Sequence, residues 1–258
     1  MLEHGVLTTQ KYNRKTVFGK YLNAKEKKMK ITASKLFRLA GLAAMLAGIL
    51  FIVIQTIHPA DILSSVTTGR WAFVHYLSIA MCLLGLIGIT GIYVKQVDKA
   101  GWLGLVGYLM FSLFYALTMC FQFIEAFISP LLSTEAPKVV ESFLALAVGS
   151  TGETNLGALA TVYTLVGVLY MLGGLLFGIA TFRAGILPRI AAGLFTSGGA
   201  VSALVVTLFP HPFDRIAAVP IGLGLALLGY SLWSARRENI SEPSASSGST
   251  PHHQSGTE

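Results

Sequence analysis

Six long apolar stretches, separated by short polar segments, occupy most of the sequence after residue 35. Each reaches the roughly 20 residues that a helix needs to cross about 30 Å of hydrocarbon. Backbone groups in lipid must be hydrogen-bonded within their own segment, so these stretches are predicted to be helices. The fold class is therefore all-α, a six-helix transmembrane bundle spanning residues 36–237 as one domain. The predicted spans cover residues 36–57, 71–94, 101–129, 155–181, 186–209 and 213–234.

Composition agrees with a membrane protein, with 53% hydrophobic and only 12% charged residues and a mean hydropathy of +0.67. These values exclude a soluble enzyme, a secreted disulfide scaffold and a disordered chain. The net charge of +7 lies in an N-terminal arm, residues 1–35, which holds nine Lys or Arg and two Glu. A basic arm beside a membrane helix predicts contact with anionic lipid. Nucleic acid is not expected, because no aromatic interleaving or known motif accompanies the charge.

The Lys and Arg residues between the spans predict the orientation of the chain. Sixteen fall on one side of the membrane and three, Arg70, Lys138 and Arg215, on the other. Both termini are therefore expected in the cytoplasm of a multi-pass protein of the cell membrane. Residues 238–258 are rich in Ser and are predicted to form a disordered cytoplasmic tail. The longest outer segment, 130–154, carries apolar residues at helical spacing, which predicts a short helix on the membrane surface or a lid over the outer face.

Ionisable residues collect at the predicted outer ends of the spans. Two spans end in His-Pro-x-Asp, a pattern that also suits a simple helix stop followed by a cap. His75 and Glu125 lie about one turn inside their spans among apolar residues, where an ionisable group is costly and indicates function. Glu125 shares a helix face with Gln122 and Thr118, so we expect this face to point inward, toward His75 or His211. The candidate ligand- or ion-binding residues are His58, Asp61, His75, Gln122, Glu125, His211 and Asp214.

Several functions remain open for this cluster. The preferred one is a non-enzymatic membrane protein in which the cluster binds a small ligand or ion, responds to pH, or only stabilises the fold. The three histidines His58, His75 and His211 could instead hold a zinc-like metal in a hydrolase acting on a lipid, or two of them could hold a haem. No catalytic residue is predicted, because HExxH, GxSxG, CxxC and phosphate-loop motifs are absent from the sequence. A small transporter is a third class, although no span carries a charge near its midpoint. Cys82 and Cys120 are interpreted as small buried hydrophobes.

Five segments of the sequence together resemble a group of bacterial multi-helix membrane proteins of uncharacterised function. They are RLAGLAAMLAGILF, IHPAD, WAFVH, KAGWLGLVGYL and IEAFISPLL. The resemblance is best over residues 36–132 and extends loosely to Arg237. It implies a bacterial cytoplasmic membrane, and it transfers no catalytic residue and no cofactor.

Overall fold

The computed structural model describes residues 32–209 and 213–235, without the side chains of residues 203, 206, 207 and 214. The predicted arm before residue 32 and the predicted tail after residue 237 lie outside these residues. All regular structure in the described part is helical. In chain order the helices are α1 Ala33–Ile57, α2 Leu63–Val66, α3 Gly69–Lys95, α4 Val97–Phe123, a π-helix Ile124–Ile128, α5 Ser129–Glu135, α6 Pro137–Ala147, α7 Ala158–Ala184, α8 Arg189–Leu208, a 3₁₀ helix Phe213–Ala217 and α9 Ala218–Ser234.

The six long helices form a closed ring. Each of α1, α3, α4, α7, α8 and α9 packs against the next one in the chain, and α9 closes the ring by packing against α1. Buried aromatic rings fill the middle of the bundle, with Phe111 in contact with Tyr115, Tyr170 and Phe195. The bundle interior is therefore a packed core.

Small residues allow the ring helices to approach closely, as the predicted stripes of Gly and Ala require. A β-carbon at Gly48 of α1 would overlap the backbone of Gly222 in α9, and one at Gly88 of α3 would overlap Ala44. A β-carbon at Gly107 of α4 would likewise overlap the backbone of α7. Within the described residues these small side chains serve contacts inside the chain.

Five helical segments are long and apolar enough to cross a membrane, and they match five of the six predicted spans. They are Ala33–Ile57, Gly69–Lys95, Val97–Glu135, Ala158–Ala184 and Arg215–Ser234. The other predicted span, 186–209, coincides with α8, a 20-residue helix that packs between α7 and α9. The described residues therefore form a helical membrane protein with at least five segments of spanning length.

The third predicted span, 101–129, is less regular than the sequence suggests. Gly101 has a φ of 58°, a left-handed conformation that breaks the helix near its start. At the other end, five residues from Ile124 to Ile128 form a π-helix. The π-helix rotates the residues that follow it relative to a continuous α-helix, and it contains Glu125.

The two cysteines differ in exposure. Cys82 is buried, as predicted, whereas Cys120 is exposed on the bundle surface, so the prediction of burial is wrong for Cys120. The reason is helical geometry: residues two apart point to nearly opposite sides of a helix. Cys120 is two residues from both Thr118 and Gln122 and points away from the inward face that they share.

Candidate functional site

The site is built around a buried pair of ionisable side chains, His75 of α3 and Glu125 of the π-helix. Nε2 of His75 lies 3.1 Å from Oε2 of Glu125, and the two side chains are 0% and 8% exposed. Gln122, one turn earlier, donates from Nε2 to the same carboxylate oxygen at 2.9 Å. Glu125 thus faces His75 inside the bundle, as its helical stripe predicts. Nε2 of His75 is within ion-pair distance but is not aligned as a hydrogen-bond donor to the carboxylate.

Trp71, at the start of α3, holds both members of this pair. Its indole Nε1 donates to the backbone carbonyl of Glu125 at 2.8 Å, and its own backbone carbonyl lies 2.7 Å from Nδ1 of His75. The indole and imidazole rings are 4.2 Å apart between centroids. A carbonyl oxygen only accepts, so the Nδ1 contact places a proton on that nitrogen. Trp71 was not among the predicted site residues, although its i, i+4 spacing to His75 is a signal for this contact.

A second layer lies nearer the predicted outer surface. The His58 ring, just beyond the end of α1, is 5.2 Å from the His75 ring between centroids, and its Nδ1 lies 2.7 Å from the carbonyl of Pro59. Asp61 pairs with Arg215 at 2.6 Å, and its other oxygen is 3.8 Å from His58.

The outer layer also sets the protonation of His58. Burial and, secondarily, the positive charge of Arg215 lower the pKa of His58, although the carboxylate of Asp61 opposes them. Sequence reasoning missed Arg215 as a site residue, because a single Arg beside a span is also explained by topology.

Of the seven predicted site residues, the structure brings five together: His58, Asp61, His75, Gln122 and Glu125. His211 and the side chain of Asp214 lie outside the described residues. Among the residues that the structure does describe, no group of three His, Cys, Asp or Glu side chains is placed to hold a metal ion. The edge-to-face contact of the His58 and His75 rings also leaves no room for a porphyrin between them.

Helix α6 covers the site from the outer segment 130–154. Val140 and Leu144 on its apolar face pack with Trp71 and Val66 in a small buried cluster. Ser142 ties α6 to the segment that follows it, since its hydroxyl accepts from the backbone N–H of Thr154 at 2.9 Å. The predicted short helix is present, and apolar residues on one of its faces pack against the bundle.

Comparison of the chain with protein-family models, curated proteins and solved structures finds no match to any of them.

Proposed function

We propose that this chain is a multi-pass membrane protein whose cluster of His58, Asp61, His75 and Glu125 binds a proton and responds to pH at the outer face of the cell membrane. The observation that carries this proposal is the buried contact of 3.1 Å between Nε2 of His75 and Oε2 of Glu125. The proposal thus takes the ion of the predicted ligand- or ion-binding cluster to be a proton.

The contacts of His75 support the binding of a proton by the pair. Nδ1 of His75 carries a proton, because its partner is the carbonyl oxygen of Trp71. Without a further proton, Nε2 and the carboxylate of Glu125 would present lone pairs to each other. One added proton turns this contact into a charge-assisted one, and breaking a buried pair of this kind costs several kcal/mol.

The groups around the pair separate it from the predicted outer surface. His58 is the nearest other titratable group, and the pair of Asp61 and Arg215 lies beyond it toward the outer surface. Helix α6 adds apolar side chains over Trp71 and limits the access of water. Low polarity strengthens every charge interaction within the cluster.

The proposal includes six spanning helices with both termini in the cytoplasm. Five helical segments of spanning length support this topology, as do the length and packing of α8. Lys and Arg are also in excess on one predicted side of the membrane. In this arrangement the basic arm contacts anionic lipid. Reporter fusions after residues 30 and 240 should both be cytoplasmic, and one external fusion would refute the topology.

Proton binding is tested by the fluorescence of Trp71. Substitution of Trp102 and Trp233 by Phe leaves Trp71 as the only tryptophan of the chain. An imidazolium against an indole ring forms a cation–π contact and quenches indole emission. In lipid vesicles, Trp71 emission should fall reversibly as the outer pH is lowered, because the His75 ring becomes cationic. Emission independent of pH between about 4 and 9 would overturn the proposal.

Two further variants assign the transition. His75→Gln should abolish it, and Glu125→Gln should weaken it, because the amide supplies no negative charge to pair with the imidazolium. His58→Gln is the matched control, since the His58 ring is also close to Trp71, at 5.9 Å between centroids. A transition that survives in His75→Gln and disappears in His58→Gln would assign the proton to the outer histidine and refute the proposed pair.

A further inference from the structure

Helices α3 and α4 stay in contact from the His75–Glu125 pair toward the middle of the bundle. The two helices run antiparallel, and two contacts define their register. His75 faces Glu125 at one level, and the ring of Tyr115 lies against Gly85 at a level about three turns further into the bundle. Ten residues separate the two levels on each helix, so the positions between them lie at matching levels on the two helices.

This register brings polar residues of both helices together. Gln122 lies level with Ser78, and Thr118 lies level with Cys82. On each helix these residues follow the site residue at helical spacing, one and two turns further in. A stripe of small and polar side chains therefore continues from the pair toward the middle of the bundle, where Tyr115 ends it.

Buried polar atoms without partners are concentrated in this stripe. They are Oε1 of Gln122 and Oγ1 of Thr118, and Nε2 of His75 likewise makes no hydrogen bond, although it lies beside the carboxylate of Glu125. Among the described residues only two other buried side-chain atoms, in Gln96 and Ser112, share this property. A buried polar atom without a partner is destabilising, and native proteins contain few of them.

We infer that the stripe between α3 and α4 binds water, with Gln122 and Thr118 as its inner ligands and His75 as its outer one. One water molecule donates to Oε1 of Gln122 and accepts from the hydroxyl of Thr118. A second water molecule donates to Nε2 of His75. Buried waters typically make about three hydrogen bonds to polar groups of this kind. A hard metal cation does not fit, because it takes about six or more oxygen ligands and this set offers two.

Water contact can be measured directly by water-edited solid-state NMR of the full chain in lipid vesicles at neutral pH. We expect rapid polarisation transfer from water to the side chains of Thr118 and Gln122. Thr181 is the matched control: it is fully buried, but its hydroxyl already accepts from Gln96 at 2.7 Å and donates to the carbonyl of Phe177 at 2.9 Å. Transfer to Thr118 that is as slow as transfer to Thr181 would overturn the inference.

An isosteric substitution provides a second, independent test. If water binds the hydroxyl of Thr118, Thr118→Val removes a hydrogen bond and lowers the melting temperature. If the hydroxyl has no partner, the same change removes an unpaired polar group and raises it. Thr181→Val should lower the melting temperature in either case, which shows that the assay detects the loss of a buried hydrogen bond. An unchanged or higher value for Thr118→Val refutes the bound water.

The bound water is inferred from the buried polar atoms that make no hydrogen bond, and not from the titration of the pair. Slow transfer from water to Thr118, together with pH-dependent emission of Trp71, would refute the bound water and leave the proposed function in place. Rapid transfer from water to Thr118, together with pH-independent emission of Trp71, would refute the proposed function and support the bound water.

Discussion

Replacement of Trp71 by Phe tests whether this residue holds the buried pair together. Phe keeps an aromatic ring beside His75 and keeps the backbone carbonyl that binds Nδ1 of His75. It removes the indole N–H that donates to the carbonyl of Glu125 at 2.8 Å. The substitution therefore isolates the link between α3 and the π-helix.

The expected loss has two parts. The carbonyl of Glu125 loses its side-chain donor in a buried place, which costs about 1–3 kcal/mol. Trp71 is 0% exposed, and the smaller ring leaves about 40 Å³ unfilled, which adds about 1 kcal/mol at ~24 cal/mol per Å³. Together these terms predict a loss of about 2–4 kcal/mol in the free energy of unfolding.

Equilibrium unfolding in mixed micelles measures this loss. The matched control is Trp102→Phe, because Trp102 is 82% exposed and its replacement should change the free energy by less than about 0.5 kcal/mol. If Trp71→Phe costs no more than Trp102→Phe, the indole does not hold the pair, and the interpretation of the π-helix as its partner is wrong.

Three further outcomes follow from the structure. Gly48→Ala should cost about 1–3 kcal/mol in unfolding free energy, because its β-carbon meets the backbone of α9, whereas Gly167→Ala should cost nothing, because nothing lies near it. His58 should lower stability as the pH drops below about 6.5, because its lowered pKa means that the unfolded chain binds this proton more readily; the melting temperature of the unmodified chain should therefore fall relative to that of His58→Gln over this range, and an equal pH dependence of the two would contradict this. In intact cells neither Cys82, which is buried, nor Cys120, which is on the apolar surface of a span, should react rapidly with a membrane-impermeant maleimide, and rapid labelling would refute that placement.

The helices could be predicted from the sequence because lipid permits few backbone structures. Apolar stretches of spanning length have to be helices, and the observed ends lie within about three residues of most predicted ones. The irregular positions could not be predicted in the same way. The left-handed Gly101 and the π-helix at Ile124–Ile128 depend on contacts with other parts of the chain. The exposure of Cys120 was predicted wrongly because hydropathy alone does not distinguish a lipid-facing side from a buried one.

The contact between His75 and Glu125 was predictable because each residue carries a local signal. An ionisable group among apolar residues has to find a partner, and Gln122 and Thr118 mark the inward face of the helix. Arg215 gives no comparable signal, and the spacing of Trp71 to His75 indicates its contact with His75 but not its bond to Glu125. Arg215 pairs with a residue 154 positions away, and the indole of Trp71 bonds a carbonyl 54 positions away. Such contacts follow from the closure of the ring and not from local sequence.

The geometry of the site is accordingly a property of the tertiary structure. His75 and Glu125 are brought to the same level by the antiparallel packing of two helices, and Trp71 links them through one backbone and one side-chain contact. The apolar face of α6 then buries Trp71. Burial makes an unpaired charge costly, so in the proposed function the covering helix, which carries neither member of the pair, favours a state in which the charge of Glu125 is paired.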